Sequence, residues 1–334
     1  MREVNFHNAI EETGLENNKD RILLLGNGFS ISYGDSKLAY ANLFEKAKQL
    51  SLFEGDQFIR AKQLLEEVCS CDFELAMEKI EQALKVYEVL GIYGLYGVKI
   101  QQMKNDATEL KNVLIQVIQK THPEQLNEDD KYSSCANFLK KFKEIYTLNY
   151  DLLLYWVIAK HLTSIFFDGF GFFNEPIWPS NNISKQNIFY LHGGLAFFNF
   201  SSYIKKLTNS VCGNILTKFD ESILRGDIPI IVTGGNAQEK LKHIFSNNYL
   251  NYCYSKLKNH SDANNLFIFG FAFKDCDRHI IEAIQHRKFQ RIYISYFENN
   301  EAWKNKVNDK LGNNESQVCF FKAEDACIWS NLND

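Results

Sequence analysis

The sequence predicts an α/β fold in which helices cover both faces of a parallel sheet. The first observation is the apolar run of residues 22–25, which breaks into Gly26-Asn27-Gly28. The second is that three later apolar runs also end in polar or glycine-containing segments, at 149–151, 192–194 and 270–277. Because the carboxyl ends of parallel strands meet at one edge of a sheet, we expect these endings to converge around a ligand.

The turn after the first strand is the most informative segment of the chain. Its four consecutive apolar residues are typical of a parallel strand covered on both faces. Gly26 and Gly28 let backbone approach a ligand, with exposed N–H groups beneath an anion such as a phosphate. A strand-to-helix turn of this kind also occurs for packing alone, so the pattern by itself leaves both interpretations open.

The remaining elements follow from periodicity and turn signals. Apolar residues at helical spacing predict an inserted helical subdomain over about residues 40–140. Residues 1–20 are expected to form a polar N-terminal extension, and residues 21–334 a single domain. Residues 229–233 predict a further strand, which ends in Gly234-Gly235 before another helix.

Composition and charge set bounds on function. Of the 334 residues, 45% are hydrophobic and 23% are charged, as in globular proteins. The net charge of -4 argues against broad nucleic-acid binding, and we interpret Lys205, Lys206 and Lys218 as a solvated face. No apolar run approaches the roughly 18 residues of a membrane span. The polar N-terminus lacks the apolar core of a signal peptide, so we expect a cytoplasmic protein that does not contact membranes.

The eight cysteines do not indicate a metal site. None of them forms a Cys-x-x-Cys pair, and a structural zinc ribbon needs two such pairs. Cys69-Ser70-Cys71 is spaced too tightly and lacks a partner pair. We therefore interpret the cysteines as reduced structural thiols and expect no metal.

Five segments, taken in order, resemble the sirtuin-like proteins, and most closely the bacterial branch catalogued as domain of unknown function 4917. The segments are Gly26-Asn27-Gly28-Phe29-Ser30, Asp72-Phe73-Glu74, Thr147-Leu148-Asn149-Tyr150-Asp151, Tyr190-Leu191-His192-Gly193 and Gly270 through Asp277. Sirtuin-like folds carry a Gly-x-Gly-x-Ser loop, a Thr-x-Asn-x-Asp strand end and a His-Gly pair, and this chain shows all three. The resemblance implies a Rossmann-like fold that binds NAD.

The chain departs from the sirtuin pattern at three places. Ala272 replaces the hydroxyl residue of a Gly-x-Ser segment, so a ribose contact there would use backbone. Tyr33-Gly34-Asp35 stands where sirtuins carry Pro-Asp-Phe-Arg, and the Arg is missing. The zinc ribbon that helps to form the acyl-lysine cleft of deacylating sirtuins is also missing, which argues against deacylation.

Asn149 and His192 are the predicted catalytic residues. His192 follows an apolar strand and precedes two glycines, and a histidine there can accept a proton from a ribose hydroxyl or from water. Asn149 offers an uncharged donor and acceptor that suit the orientation of water or ribose. The alternatives are a satisfied core histidine and a turn residue. Asp151 is open between shaping the site and capping the next helix.

The resemblance also implies a set of residues that contact NAD. Asp275 or Asp277 could bind ribose hydroxyls, although either could instead cap the helix that begins near His279. Asp35 is placed near the nicotinamide ribose. The full predicted set is Gly26, Asn27, Gly28, Phe29, Ser30, Asp35, Thr147, Asp151, Gly234, Gly270, Asp275 and Asp277.

The predicted function is hydrolysis of NAD to nicotinamide and ADP-ribose by a regulated effector of bacterial antiphage defence, as the resemblance implies. Unrestrained NAD cleavage would kill the cell, and the sequence shows no sensor domain. We therefore expect a homo-oligomer, or a complex with a separately encoded sensor such as a nucleotide-processing enzyme or an ATPase.

Three other functions are alternatives to NAD hydrolysis. A module that senses NAD or ADP-ribose without turnover would use the same glycines and Asn149 but would not need His192. An NAD-dependent protein deacylase is less favoured, because the zinc ribbon is missing. A hydride-transferring dehydrogenase needs a third glycine where this chain has Ile31, so that fingerprint fails.

Overall fold

The computed structural model describes residues 2–14, 20–34, 43–69, 72–91, 93–121, 129–170, 176–200, 203–208, 215–225, 227–259, 264–311 and 316–330. Its strands are β1 Arg2–Glu3, β2 Arg21–Leu25, β3 Glu144–Thr147, β4 Ile177–Trp178, β5 Ile188–Tyr190, β6 Gly193–Phe200, β7 Tyr203–Lys206, β8 Pro229–Ile231, β9 Asn265–Phe269, β10 Arg291–Tyr296 and β11 Gln317–Lys322. Its helices are α1 Phe6–Glu12, α2 Gly28–Ile31, α3 Leu43–Gln49, α4 Ile59–Glu67, α5 Phe73–Val89, α6 Tyr93–Thr121, α7 Asp129–Leu139, α8 Leu153–His161, α9 Ile215–Leu224, α10 Ala237–Ser246, α11 Asn248–Asn259, α12 Arg278–Arg287 and α13 Glu301–Leu311.

The main sheet has seven strands in the order β1-β11-β10-β9-β2-β3-β5. All of its strand pairs are parallel. The central strands β2, β9 and β3 are buried along their whole length, because helices flank the sheet. Burial on both faces is the physical reason for their near-continuous apolar sequences. The predicted α/β fold with a parallel sheet is confirmed.

The N-terminal segment is part of this architecture. β1 extends the edge of the sheet by pairing with β11. α1 buries Phe6, Ala9 and Ile10, and the Phe6 ring lies 6.0 Å from that of Phe267 on the sheet. Residues 1–20 were expected as a polar extension, whereas the described part of them forms an edge strand and a covering helix. Three apolar positions among polar neighbours are enough to dock one short helix.

Helices α2 to α7 lie between β2 and β3 in the described part of the chain. On α6, the apolar positions Leu110, Val113, Leu114 and Val117 are all buried. Helix α5 runs beside α6. No helix among the described residues combines the length and the apolar character that a membrane crossing requires.

A second sheet lies beyond the main one, with antiparallel pairs in the order β4-β7-β6-β8. The chain passes from one sheet to the other at His192, since β5 ends at Tyr190 and β6 begins at Gly193. The strand predicted at residues 229–233 exists as β8, but it pairs with β6 and not with the parallel strands. The glycine turn that follows β8 is therefore not part of the parallel sheet edge.

Candidate functional site

The carboxyl ends of the parallel strands converge on one cavity of about 580 Å³. Segments after β2, β3, β9 and β10 line it, and His192 joins them from the crossing between the two sheets. The residues that line it include Asn27, Asn149, His192, Asp277, Phe297 and Trp303. The convergence predicted from the strand endings is confirmed, and a cavity of this volume is in the usual range for cofactor and substrate sites.

The glycines after β2 act by close packing against the turn after β9. The N–H of Gly26 donates to the Phe269 carbonyl and that of Gly28 to the Gly270 carbonyl, both at 2.9 Å. A Cβ atom on Gly28 would lie 2.4 Å from Gly270 Cα. Both N–H groups are thus used inside the fold. The sequence interpretation of exposed N–H groups beneath a phosphate is wrong for these two positions, because the neighbouring turn takes them.

Asn27 offers a polar group to the cavity. Its Oδ1 is buried and has no hydrogen-bond partner among the described residues, and its side chain does not cap α2. A buried acceptor without a donor is destabilising until a ligand supplies one. A hydroxyl or amide of a ligand would satisfy Oδ1, whereas a phosphate oxygen would not.

A buried hydrogen-bond network holds Asn149. Its Nδ2 donates to Ser30 Oγ at 2.9 Å, and Ser30 in turn donates to Asp151 Oδ2 at 2.5 Å. The backbone N–H of Asn149 donates to Thr147 Oγ1 at 3.1 Å. Because the Ser30 hydrogen goes to the carboxylate, its oxygen is left to accept from the amide nitrogen. The network therefore fixes which way the Asn149 amide faces.

Several predicted NAD contacts lie behind the cavity wall. Ser30, Thr147 and Asp151 do not line the cavity; they support Asn149 from below. The other oxygen of Asp151 accepts the N–H of Leu153 at 2.9 Å, so this carboxylate also caps the start of α8. Phe29 is 1% exposed and packs on Trp329. These four side chains shape the wall of the site but do not line the cavity.

His192 faces a second histidine that the sequence reading did not single out. Nε2 of His192 and Nε2 of His279 are 3.0 Å apart, and both side chains are buried. Burial lowers the pKa of His192 well below its usual value, and the nearby Lys240 and His279 act in the same direction. Burial likewise lowers the pKa of His279, to about 4. Both rings are neutral at pH 7.

Asp277 and Lys240 form a buried ion pair beside the two histidines. Lys240 Nζ donates to Asp277 Oδ1 at 2.9 Å, with side-chain exposures of 2% and 15%. Burial acts to raise the pKa of Asp277, but Lys240 and the histidines outweigh it and lower the pKa overall. Asp277 lines the cavity, as its predicted role requires, while its carboxylate is held by Lys240.

Ligand-type atoms of His192, Asp277 and His279 lie within 4.8 Å of one another, which is close enough to hold a metal ion. Two features oppose this use. The ammonium of Lys240 already contacts the Asp277 carboxylate. The ring centroids of the two histidines are 5.3 Å apart, and their Nε2 atoms are 3.0 Å apart. The difference is about twice the distance from the centre of an imidazole ring to its nitrogen, so both nitrogens lie on the line between the ring centres and face each other. Metal ligands would instead converge on a point beside that line.

Of the other predicted contacts, Asp275 and Gly234 lie apart from the cavity. Asp275 is ion-paired with Lys310 and lines a smaller cavity of about 260 Å³. Gly234 packs against the helical insertion, since a Cβ atom there would lie 2.5 Å from Met77 Cβ. Gly270 lines the main cavity. Asp35 lies outside the described residues.

One wall of the cavity is aromatic. The sequence does not predict this wall. Phe271, Phe297 and Trp303 line it, and Phe297 is 51% exposed. The only sequence signal was the position of Phe297, which directly follows the strand β10. Lys240 and His279 gave no signal, because each reads as an ordinary helical residue until the tertiary fold brings it to His192.

Comparisons with known proteins give one family. The sequence profile described as "Domain of unknown function (DUF4917)" matches residues 23–329. No functionally curated protein matches the chain. Among solved structures, the chain is similar to a Sir2 homolog-NAD complex at 10% identity and a TM-score of 0.39, over 98% of this chain and 93% of the other. A TM-score this low supports no inference about the site, and the chemistry must be argued from this chain's own residues.

Proposed function

This chain belongs to the DUF4917 family, and we propose that it hydrolyses NAD at the bond between nicotinamide and ribose. The observation that carries the proposal is the pairing of Asn149 with His192 in one cavity, with the Asn149 amide held by buried groups. These are the two residues that the motif resemblance places at the reacting ribose. The products would be nicotinamide and ADP-ribose.

The chemistry needs orientation more than acid catalysis. The departing pyridinium becomes neutral nicotinamide, so the leaving group requires no proton. The protein has to hold the ribose, stabilise an oxocarbenium-like transition state and position water. Asn149 supplies a fixed amide that can hold water or a ribose hydroxyl. His192 is neutral because burial lowers its pKa, and a neutral imidazole can accept the proton of the attacking water.

The rest of the cavity supports a dinucleotide. Phe297 and Trp303 offer aromatic faces on which a base can stack. The unpaired Oδ1 of Asn27 accepts from a hydroxyl, as a ribose would provide. We place the adenosine along the aromatic wall and the nicotinamide ribose near Asn149 and His192.

We also propose that the activity is regulated and serves bacterial antiphage defence. An unregulated NAD hydrolase would deplete its own cell, so assembly into a homo-oligomer or binding of a sensor protein would hold it inactive until infection. A sensor of the nucleotide-processing or ATPase class fits this role. Gel filtration of the protein alone and with neighbouring gene products tests this proposal, and a monomer that is active alone would contradict it.

One experiment tests the hydrolase directly. Purified protein is incubated with NAD and free nicotinamide is measured, first alone and then with extract from phage-infected cells. Release that is lost in Asn149→Ala and kept in the surface control Asn181→Ala supports the proposal. No release under either condition, with NAD bound and recovered intact by calorimetry and nucleotide analysis, would instead favour the sensing module. The burial of His192 against His279 is the observation that favours this alternative, because a histidine with a purely structural role would be buried in the same way.

A further inference from the structure

The hydrogen-bonded histidine pair accounts for a proton that the proposed reaction must release. This inference rests on the proposed hydrolase. NAD carries a positive charge on its nicotinamide ring, so its reaction with water gives neutral nicotinamide, ADP-ribose and one proton. That proton must leave a site that is largely buried. We propose that His279 is a positioning residue that fixes the tautomer of His192 and takes up, through it, the proton of the attacking water.

The geometry of the pair is that of a hydrogen bond. The two Nε2 atoms are 3.0 Å apart and face each other along the line between the ring centroids, with the rings tilted by 25°. Since two neutral imidazoles share this contact, one Nε2 carries a hydrogen and the other accepts it. Either way Nε2 of His192 is engaged, and its Nδ1 is the nitrogen left for water in the cavity.

The proposed relay requires one particular tautomer of each ring. Nδ1 of His279 is buried and makes no regular hydrogen bond. Burial is the main influence on this ring and lowers its pKa, whereas Asp277 and the backbone of Cys276 raise it. In the proposed arrangement the hydrogen of His279 is on Nδ1, so its Nε2 is the acceptor. His192 then carries its hydrogen on Nε2 and has a free lone pair on Nδ1.

The charges around the pair favour proton transfer to His279. The charged groups that act on both rings are Lys240 and Asp277. After burial, Lys240 has a larger influence on the pKa of His192 than Asp277 has, and Lys240 opposes a positive charge on this ring. After burial, Asp277 has a larger influence on the pKa of His279 than Lys240 has, and Asp277 favours a positive charge on that ring. A proton that reaches the pair is therefore better held on His279.

The step balances as follows. The water oxygen bonds to the ribose carbon as the carbon–nitrogen bond to nicotinamide breaks, and that bond's electron pair stays on the pyridine nitrogen. One water proton goes to Nδ1 of His192. The hydrogen on Nε2 of His192 moves to Nε2 of His279, which becomes the imidazolium beside Asp277. After product release, the hydrogen on Nε2 of His279 returns to Nε2 of His192, and the proton on Nδ1 of His192 leaves to solvent.

The test compares His279→Gln, which keeps a hydrogen-bonding group near the position of Nε2 but takes up no proton, with His279→Ala and the exposed control His286→Gln. In active preparations we expect His279→Gln to lower kcat about 100-fold with KM changed less than about twofold, as for loss of one acid–base group. Added imidazole should restore activity to His279→Ala and not to His279→Gln. A purely structural role predicts near-normal kcat in His279→Gln, and that result would overturn the relay.

A second measurement does not depend on turnover. Nitrogen-detected NMR of histidine-labelled wild-type protein should show one Nε2–H resonance shifted far downfield, which disappears in His192→Gln and in His279→Gln but remains in His286→Gln. Absence of this resonance, or one equivalent of a transition metal in the purified protein, would overturn the pair. If wild-type protein bears the resonance but releases no nicotinamide under any condition, the hydrolase proposal fails and the hydrogen-bonded pair stands.

Discussion

The side-chain amide of Asn149 donates to the hydroxyl of Ser30 at 2.9 Å, across 119 positions of sequence. Ser30 is fully buried and its own hydrogen goes to Asp151. The serine of the first glycine turn is thus a support for the predicted catalytic amide and not a ligand contact. Two motifs that are distant in sequence act as one unit because β2 and β3 are neighbours in the sheet.

The first prediction concerns Asn149 and His192. Replacing either residue by Ala should abolish nicotinamide release with NAD affinity nearly unchanged, because both act on the reacting ribose. The two losses should be non-additive, since removing one member disables the unit. Release assays and calorimetry on both single variants and the double variant check this. Near-normal turnover in both single variants would contradict the mechanism.

The second prediction is that Ser30→Ala acts through Asn149. It removes the acceptor of the amide and leaves a carboxylate oxygen of Asp151 without its donor, which costs about 1–3 kcal/mol of unfolding free energy. We expect kcat to fall about tenfold or more with KM little changed, because the amide loses its orientation. Ser246→Ala, on an exposed helix end, is the control. An unaltered kcat in Ser30→Ala would show that the network does not position Asn149.

The third prediction tests the packing role of the glycine turn. A Cβ atom on Gly28 would meet Gly270 Cα at 2.4 Å, so Gly28→Ala should destabilise the protein by a few kcal/mol and distort the cavity. Gly26→Val should do the same and abolish NAD binding. Gly97→Ala is the matched control, since nothing lies within 4 Å of its Cβ position and alanine favours a helix by about 0.5–1 kcal/mol. Chemical denaturation measures the difference, and a Gly28→Ala variant as stable as Gly97→Ala would contradict the packing role.

The fourth prediction is the pH dependence of turnover. A general base works when it is neutral, so activity is present above its pKa and is lost as the pH falls through it. Burial lowers the pKa of His192 well below 6.5. We therefore expect kcat/KM for NAD to be level from pH 6.5 upward through neutrality and to fall only in more acidic buffer. A midpoint at or above pH 6.5, measured between pH 5 and 9, would show that His192 is not the base in this environment.

The fifth prediction concerns a carboxylate pair at the junction of α5 and α10. Burial raises the pKa of Glu81 to about 7, and the neighbouring Glu239 adds to the shift. One oxygen of Glu81 is buried without a donor. The folded state thus binds a proton that the unfolded state releases above pH 4.5, so stability falls as the pH rises from 4.5 to 7.

Glu81→Gln removes this penalty. After allowance for partial exposure, we expect the variant to gain about 1–2 kcal/mol of unfolding free energy relative to wild type at pH 8, and little at pH 5. Urea denaturation at the two pH values measures the difference, with Glu88→Gln, at an exposed position of the same helix, as the control. An equal effect at both pH values would rule out titration of Glu81 as the cause.

The sequence by itself predicted the parallel strands, their polar endings and the helices between them. The motif resemblance selected Asn149 and His192, whose catalytic role stays a prediction. Apolar runs are typical of strands buried on both faces, and apolar residues at helical spacing are typical of helices, so local pattern was enough for these elements. The resemblance in motif order also indicated the family that the profile match confirms.

Only the tertiary structure decided what each polar residue faces. The sequence predicts Ser30 and Asp151 as NAD contacts, but neither lines the cavity, because the pairing of β2 with β3 brings Ser30 between Asn149 and Asp151. His279 and Lys240 come from two helices remote in sequence from His192, and no spacing rule links them to it. A hydrogen bond or an ion pair depends on distances between elements, and a period along the chain contains no information on those distances.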